Sequence, residues 1–328
     1  MSKLVTIYGG SGFVGRYIAR RMAQAGWRVR VAVRRPNEAL HVRPYGVVGQ
    51  VEPVFCNIRD DASVRAVMQG ADAVVNCVGI LFEQGRNRFD DVQGEGAGRI
   101  ARIASEQGVA KLVQISAIGA DAGSDSLYQR SKAKGEAQVR AHFPDAVILR
   151  PSVIFGTEDQ FFNRFAGMAR FSPFLPLVGA GTRFQPVYVD DVAAAATKAV
   201  LEEVEPAIYE LGGPEVATFR ALMERMLTEI RRNRILLPIP FLAANIMAGA
   251  LGVAQAVTLG LFTNSLLTRD QVRNLRHDNV VGEGAQGFAE LGMTPTPMEA
   301  VLPSYLWLHR PGGQYKAIHE SAAELRKQ

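Results

Sequence analysis

Hydrophobic positions in the first half of the chain fall in short continuous runs. Leu4–Tyr8, Arg28–Val33, Val51–Cys56, Ala73–Val78, Leu112–Ser116 and Ala146–Leu149 each span four to six residues and favour β-branched and aliphatic side chains. Between them, apolar residues recur at helical spacing over Phe13–Ala25, Asp61–Gln69, Asp90–Gln107 and Leu127–Ala141, the first closed by Gly26. Unalternating runs of strand length predict strands buried on both faces, and their alternation with helices predicts a parallel sheet with right-handed crossovers. The expected fold is therefore α/β, a doubly wound parallel sheet formed by residues 1–155. After Pro151 the pattern loosens. Residues 156–328 are expected to form a smaller, partly helical C-terminal lobe interleaved with the sheet. A helix starts near Asp190, and residues 185–212 are expected to return to the sheet.

Composition changes this picture little. A chain of 328 residues that is 48% hydrophobic and 21% charged is a packed globular protein. Its net charge of +5 comes without a Lys/Arg tract or a nucleic-acid-binding motif, so no nucleic-acid partner is expected. An anionic cofactor or an anionic lipid surface accounts for the excess equally well. Cys56 and Cys77 each end an expected strand and stand near no metal-ligand cluster, so neither a disulfide framework nor a metal is expected. The Met-Ser-Lys start runs straight into a strand, with no secretory or transit pattern ahead of it.

The candidate chemistry begins at the first strand's exit, "IYGGSGFVG". Gly9, Gly12 and Gly15 read as G-x-x-G-x-x-G, and Gly10, Gly12 and Gly15 as G-x-G-x-x-G. One glycine permits the tight turn, one lets the backbone approach a pyrophosphate, and one lets the helix pack on the sheet. Phe13, Val14 and Gly15 then supply helix N-terminal N–H groups. At the second strand's exit, where an acidic residue would accept ribose hydroxyls, stand Arg34 and Arg35. Guanidinium there suits a 2′-phosphate and favours NADP(H). "CNIRD" sets Asn57 and Ile58 where adenine would lie, and "NCVG" sets Cys77, Val78 and Gly79 beside the pyrophosphate and ribose.

"SLYQRSKAKGE" carries Tyr128 and Lys132 one helical turn apart, with Ser116 at the end of the preceding strand. A tyrosine donates a proton to a carbonyl when a nearby ammonium lowers its pKa. With "LRPSVIFG", which holds Pro151, and "VYVDDVA", these residues resemble the short-chain dehydrogenase/reductase superfamily, extended or atypical branch, a Rossmann fold. The resemblance implies Tyr128 as acid/base, Lys132 as ribose ligand and Ser116 as substrate-positioning group. Two later stretches, "LLTRDQVRNLRHDNVV" and "LGMTPTPMEAVLPSYL", resemble one atypical subgroup, the NADPH-binding accessory subunits of respiratory complex I, NADH:ubiquinone oxidoreductase. That implies a bound NADPH of structural or regulatory kind and no turnover of its own. It further implies complex I partners at the junction of the peripheral and membrane arms. The expected place is peripheral, on the cytoplasmic face of a bacterial inner membrane or its mitochondrial equivalent. The alternatives are an NADP-dependent reductase or epimerase on a hydrophobic or quinone-like substrate, and an NADPH sensor.

From Ile235 to Thr268 no side chain is charged, and arginines flank the stretch on both sides. The 22-residue run from Phe241 to Phe262 reaches bilayer-spanning length, interrupted by Asn245, Gln255 and three glycines. Spanning, burial as a core or partner-facing helix pair, and lying on an anionic membrane surface remain three open readings. Tyr305, Trp307 and Arg310 add amphipathic anchors further on.

Overall fold

The computed structural model describes residues 2–257 and 268–313, the side chains of 252–257 excepted. Six strands and four helices alternate first: β1 (Leu4–Tyr8), α1 (Phe13–Gln24), β2 (Arg28–Val33), β3 (Val51–Phe55), α2 (Asp61–Met68), β4 (Ala73–Asn76), α3 (Glu95–Glu106), β5 (Lys111–Ile115), α4 (Leu127–His142) and β6 (Val147–Pro151). There follow β7 (Ile154–Phe155), α5 (Phe162–Phe171), β8 (Phe174–Val178), β9 (Arg183–Phe184), β10 (Val187–Tyr188), α6 (Val189–Leu201), β11 (Ile208–Leu211), β12 (Ala217–Thr218), α7 (Phe219–Glu229), β13 (Ile235–Ile239), α8 (Phe241–Val257), α9 (Arg269–Asn274) and α10 (Met298–Leu306).

Seven strands form one sheet in the order β11-β6-β5-β4-β1-β2-β3, every pairing parallel. This is the doubly wound order, and the strand exits meet where it reverses, between β1 and β4. Both faces are covered, which is why the strands read as unbroken apolar runs. On one face Ile18 and Met22 of α1 and Val192 and Ala196 of α6 pack on Val5, Ile7 and Val31. On the other, Val64 of α2, Ile100 and Ile103 of α3 and Val139 of α4 pack on Tyr8, Val74 and Leu112. β11 extends the sheet beyond β6, pairing Ile208 with Ile148.

A second core lies in the C-terminal half, where Phe155, Phe162, Phe219, Met223, Leu302 and Tyr305 are buried together. β8 and β13 pair in parallel there, Phe174 opposite Ile235. The apolar stretch predicted over 235–268 thus begins as a strand and continues as α8; residues 258–267 lie outside the described residues. Among the described residues no helix is long and apolar enough to cross a membrane. α8 rests on the body through Ala244 and Ala248, buried with Val178 and Val272, and exposes Leu242, Ile246 and Met247.

The tail also completes the first half. Asp270 of α9 caps α4: its carboxylate accepts from Leu127 N at 2.7 Å, Ser126 Oγ at 3.0 Å and Tyr128 N at 3.2 Å. Asn279 threads between the lobes. Its side-chain oxygen accepts from Ser152 Oγ at 2.7 Å and Val153 N at 3.0 Å, and its backbone N–H donates to Arg183 O.

Candidate nucleotide-binding site

A cavity of about 600 Å³ opens at the strand exits where the order reverses. Of the residues anticipated from sequence, Gly9, Gly12, Arg34, Arg35, Asn57, Ile58, Cys77, Val78 and Gly79 line it. Gly9 takes φ +72, a left-handed conformation that an L side chain would strain. Gly15 sits where a Cβ would run into the Gly9 carbonyl oxygen and lie 2.7 Å from Gly10 Cα. The turn is therefore closed by backbone on backbone. Helix α1 starts from Gly12 with no side-chain cap and no acidic residue in its first turn. Phe13, Val14 and Gly15 thus present N–H groups and a positive dipole end with no carboxylate in the helix's own first turn, and the nearby Glu158 is taken up by Arg16 and Tyr17.

At the far end, Arg34 Nη1 donates to Asn87 Oδ1 at 3.0 Å, and Arg35 pairs with Glu38 at 2.9 Å. The guanidiniums are thus not equivalent. Arg35 is paired with an acid, whereas among the described residues Arg34 is paired with a neutral amide alone. Ser11, Glu38, Arg59, Gln84, Asn87 and Val92 also line the cavity and were not anticipated. Arg59 stands next to the Asn57-Ile58 pair, which could have drawn attention to it; the loop residues carry no such signal.

Lys132 and Tyr128 lie beside this cavity, not in its wall. Lys132 is 6% exposed, and among the described residues its Nζ makes one long hydrogen bond, 3.4 Å to Ile115 O. A Cβ placed on Gly79 would lie 3.5 Å from that Nζ and 3.3 Å from Gln93 Oε1, a buried oxygen that lacks a hydrogen-bond partner. A buried cation and an orphaned acceptor therefore converge on the backbone that lines the cavity. Such a pair fits ribose hydroxyls, which both accept and donate. Burial lowers the Lys132 ammonium to about 8 even though Glu136 and Cys77 pull it back up. The same burial pushes the Cys77 thiol up to about 12 and Cys56 up to about 11, so neither is a thiolate at neutral pH.

Two residues that the resemblance places in the site have other surroundings here. Burial pushes the Tyr128 phenol up to about 12. Its ring packs edge-on against Phe89 at 5.8 Å, with Lys132 Nζ 5.9 Å from the ring centroid. Ser116 does not face the cavity. Its hydroxyl donates to Glu136, whose carboxylate is gripped by Arg150 at 2.6 and 2.9 Å; Arg150 also reaches Glu210 at 3.3 Å. Ser116 is thus part of a buried charge network joining α4, β6 and β11. Pro151 is buried in β6, also outside the cavity wall. Among the described residues no group of three His, Cys, Asp or Glu is placed to hold a metal.

A profile of the NAD dependent epimerase/dehydratase family matches residues 5–212. The mitochondrial NADH dehydrogenase [ubiquinone] 1 alpha subcomplex subunit 9 of Arabidopsis thaliana is 34% identical, covering 94% of this chain and 79% of that protein. The mouse protein of the same name is 31% identical, covering 94% and 80%. A solved structure of DesIV, a dTDP-glucose 4,6-dehydratase from Streptomyces venezuelae with NAD and TYD bound, has a TM-score of 0.70 at 20% identity. It covers 92% of this chain and 95% of that one, and shares the fold. With the glycine turn, the sheet order and a match that continues through the tail, the chain belongs to the NAD dependent epimerase/dehydratase family and, within it, to the subunit 9 family of NADH dehydrogenase [ubiquinone].

Proposed function

We propose that this protein is an NADPH-binding accessory subunit of NADH:ubiquinone oxidoreductase, in which the dinucleotide stabilises the fold and is not turned over. The observation that carries the reading is Ser116. The hydroxyl that would position a substrate carbonyl is committed to the Glu136–Arg150 network, while the dinucleotide cradle is intact. The match of 94% of this chain to the subunit 9 relatives supports the accessory role.

In this reading residues 1–155 hold the cofactor and residues 156–328 carry the docking lobe. Gly9, Gly12 and the first turn of α1 (Phe13, Val14, Gly15) hold the pyrophosphate. Arg34, assisted by Arg35, holds the 2′-phosphate. Asn57 and Ile58 flank the adenine; Cys77, Val78 and Gly79 line the ribose and pyrophosphate path, and Lys132 with Gln93 takes the second ribose. The bound cofactor would supply charge and contacts that order this cradle. A ligand held only by the folded form, at about a thousandfold excess over Kd, adds roughly 4 kcal/mol.

The docking lobe meets other complex I subunits where the peripheral arm joins the membrane arm. The protein sits peripherally on the cytoplasmic face of a bacterial inner membrane or its mitochondrial equivalent. Exposed Leu242, Ile246 and Met247 on uncharged α8, with arginines flanking the stretch, support contact with an anionic lipid surface.

Two measurements test the proposal. Titration of the isolated protein should show NADPH bound more tightly than NADH. Arg34→Ala should erase that preference, with a roughly 10- to 100-fold loss for NADPH alone. Tagged protein recovered from membranes should co-migrate with NADH:ubiquinone oxidoreductase, and Tyr128→Phe should leave both properties intact. Equal affinity for the two cofactors would remove the NADPH assignment, and migration as a free monomer would remove the subunit assignment.

A further inference from the structure

Beside the dinucleotide cavity lies a second cleft of about 490 Å³, lined by Asn57, Arg59, Gly85, Arg86, Arg88 and Asp91. Its outer wall is a tight turn. Gln84 and Asn87 form an antiparallel bridge, exchanging backbone hydrogen bonds of 3.1 and 2.9 Å, and Gly85 turns the chain at φ +55. The turn is fastened to two strand exits: Arg59 Nη1 donates to Arg86 O at 2.7 Å, and Arg34 Nη1 donates to Asn87 Oδ1 at 3.0 Å. Arg86 and Arg88 are exposed on this anchored loop. On the same lobe other arginines find carboxylates: Arg35 with Glu38, Arg65 with Glu106, and Arg99 and Arg102 with Asp61. Among the described residues no ion pair joins Arg59, Arg86 or Arg88 to an acid.

We propose that this cleft is a docking site for an acidic segment of a partner protein, whose carboxylates pair with Arg59, Arg86 and Arg88. The lining favours a peptide over other anions. A volume of about 490 Å³ exceeds what a lone phosphate fills. Asp91 in the wall repels a dense polyanion such as nucleic acid, yet can accept from a peptide N–H. No apolar side chain lines the cleft, so it lacks the inserting residues of a membrane-docking surface. Because the backbone hydrogen bonds and two guanidiniums already hold the loop, docking orders few further groups, and planar guanidiniums take carboxylates two oxygens at a time. Asn57 and Arg59 line both cavities, whereas Arg86 and Arg88 are absent from the wall of the dinucleotide cavity, so mutation of Arg86 and Arg88 separates docking from cofactor binding.

The inference rests on the reading of the chain as a complex I subunit. Full-length tagged wild type, Arg86→Glu/Arg88→Glu and Arg86→Lys/Arg88→Lys are compared by native-gel co-migration with NADH:ubiquinone oxidoreductase, NADPH titration and flotation with phosphatidylglycerol vesicles. The glutamate pair should lose about tenfold or more of the complex-bound fraction. The lysine pair should retain most of it, wild-type retention should fall with salt, and NADPH affinity and vesicle flotation should be the same in all three. Wild-type co-migration of the glutamate pair overturns the docking site and leaves the subunit reading standing. Loss of vesicle flotation with co-migration kept assigns the cleft to lipid and overturns it equally. A wild type that does not co-migrate at all defeats the subunit reading and this inference with it.

Discussion

Lys132→Met tests whether the buried ammonium is kept for the cofactor at a cost to the fold. Burial takes the ammonium from 10.5 to about 8. At about 1.4 kcal/mol per pH unit, a charged Lys132 costs the folded protein roughly 3 kcal/mol. Because this folded-state pKa is depressed, the penalty is fully present below about 8. It falls as pH rises toward 10.5, where the unfolded lysine also loses its proton. Methionine keeps the apolar stem and removes the charge. It sacrifices the 3.4 Å contact to Ile115 O, an oxygen that also accepts from Gln114 Nε2, and the ammonium's contact with the Tyr128 ring, while the attraction of Glu136 is already included in the value of about 8. Without cofactor, the variant should therefore be more stable than wild type, by roughly 3 kcal/mol at pH 7 and about 1 kcal/mol less than that at pH 9. Urea unfolding of both proteins at the two pH values reads this out, and dinucleotide titration should show weaker binding by the variant. A variant equal to or less stable than wild type at pH 7, or an advantage that does not shrink with pH, would refute the burial argument.

Two further outcomes follow from the packing. Gly15→Ala should cost about 1–3 kcal/mol and abolish dinucleotide binding, because the new methyl meets the backbone of Gly9 and Gly10, which has nowhere to move; thermal unfolding and cofactor titration measure the two effects. Arg150→Met should cost about 3–5 kcal/mol in denaturant unfolding by leaving Glu136 buried and unpaired, and adding Glu136→Gln should recover much of the loss.

The nucleotide half was legible because its physics is local. Buried parallel strands give unbroken apolar runs, and the turn after β1 needs glycines at fixed spacing. What escaped was set by long-range pairing. β8 and β13 carry Pro176 and Pro238 and join residues some sixty positions apart, so neither read as a strand. Ser116 was correctly seen at a strand end, but its orientation is decided by Arg150 and Glu136, whose pairing no spacing announces. The stretch Asp90–Gln107 read as one helix; Asp90–Gly94 is instead a π-helical turn. The second arginine after β2 looked equal to the first until the structure placed Glu38 beside it.

The clasp formed by Asp270, Asn279 and Glu210 has a consequence for biosynthesis. A ribosome that has released only the first 200 residues has made a sheet lacking β11, an Arg150 lacking Glu210, and an α4 whose N-terminus still awaits its aspartate. The cofactor-facing half therefore matures only when the last third of the polypeptide has emerged, and an excised N-terminal fragment inherits an unfinished edge and an α4 whose first turn keeps its Ser126 cap but lacks the Asp270 carboxylate.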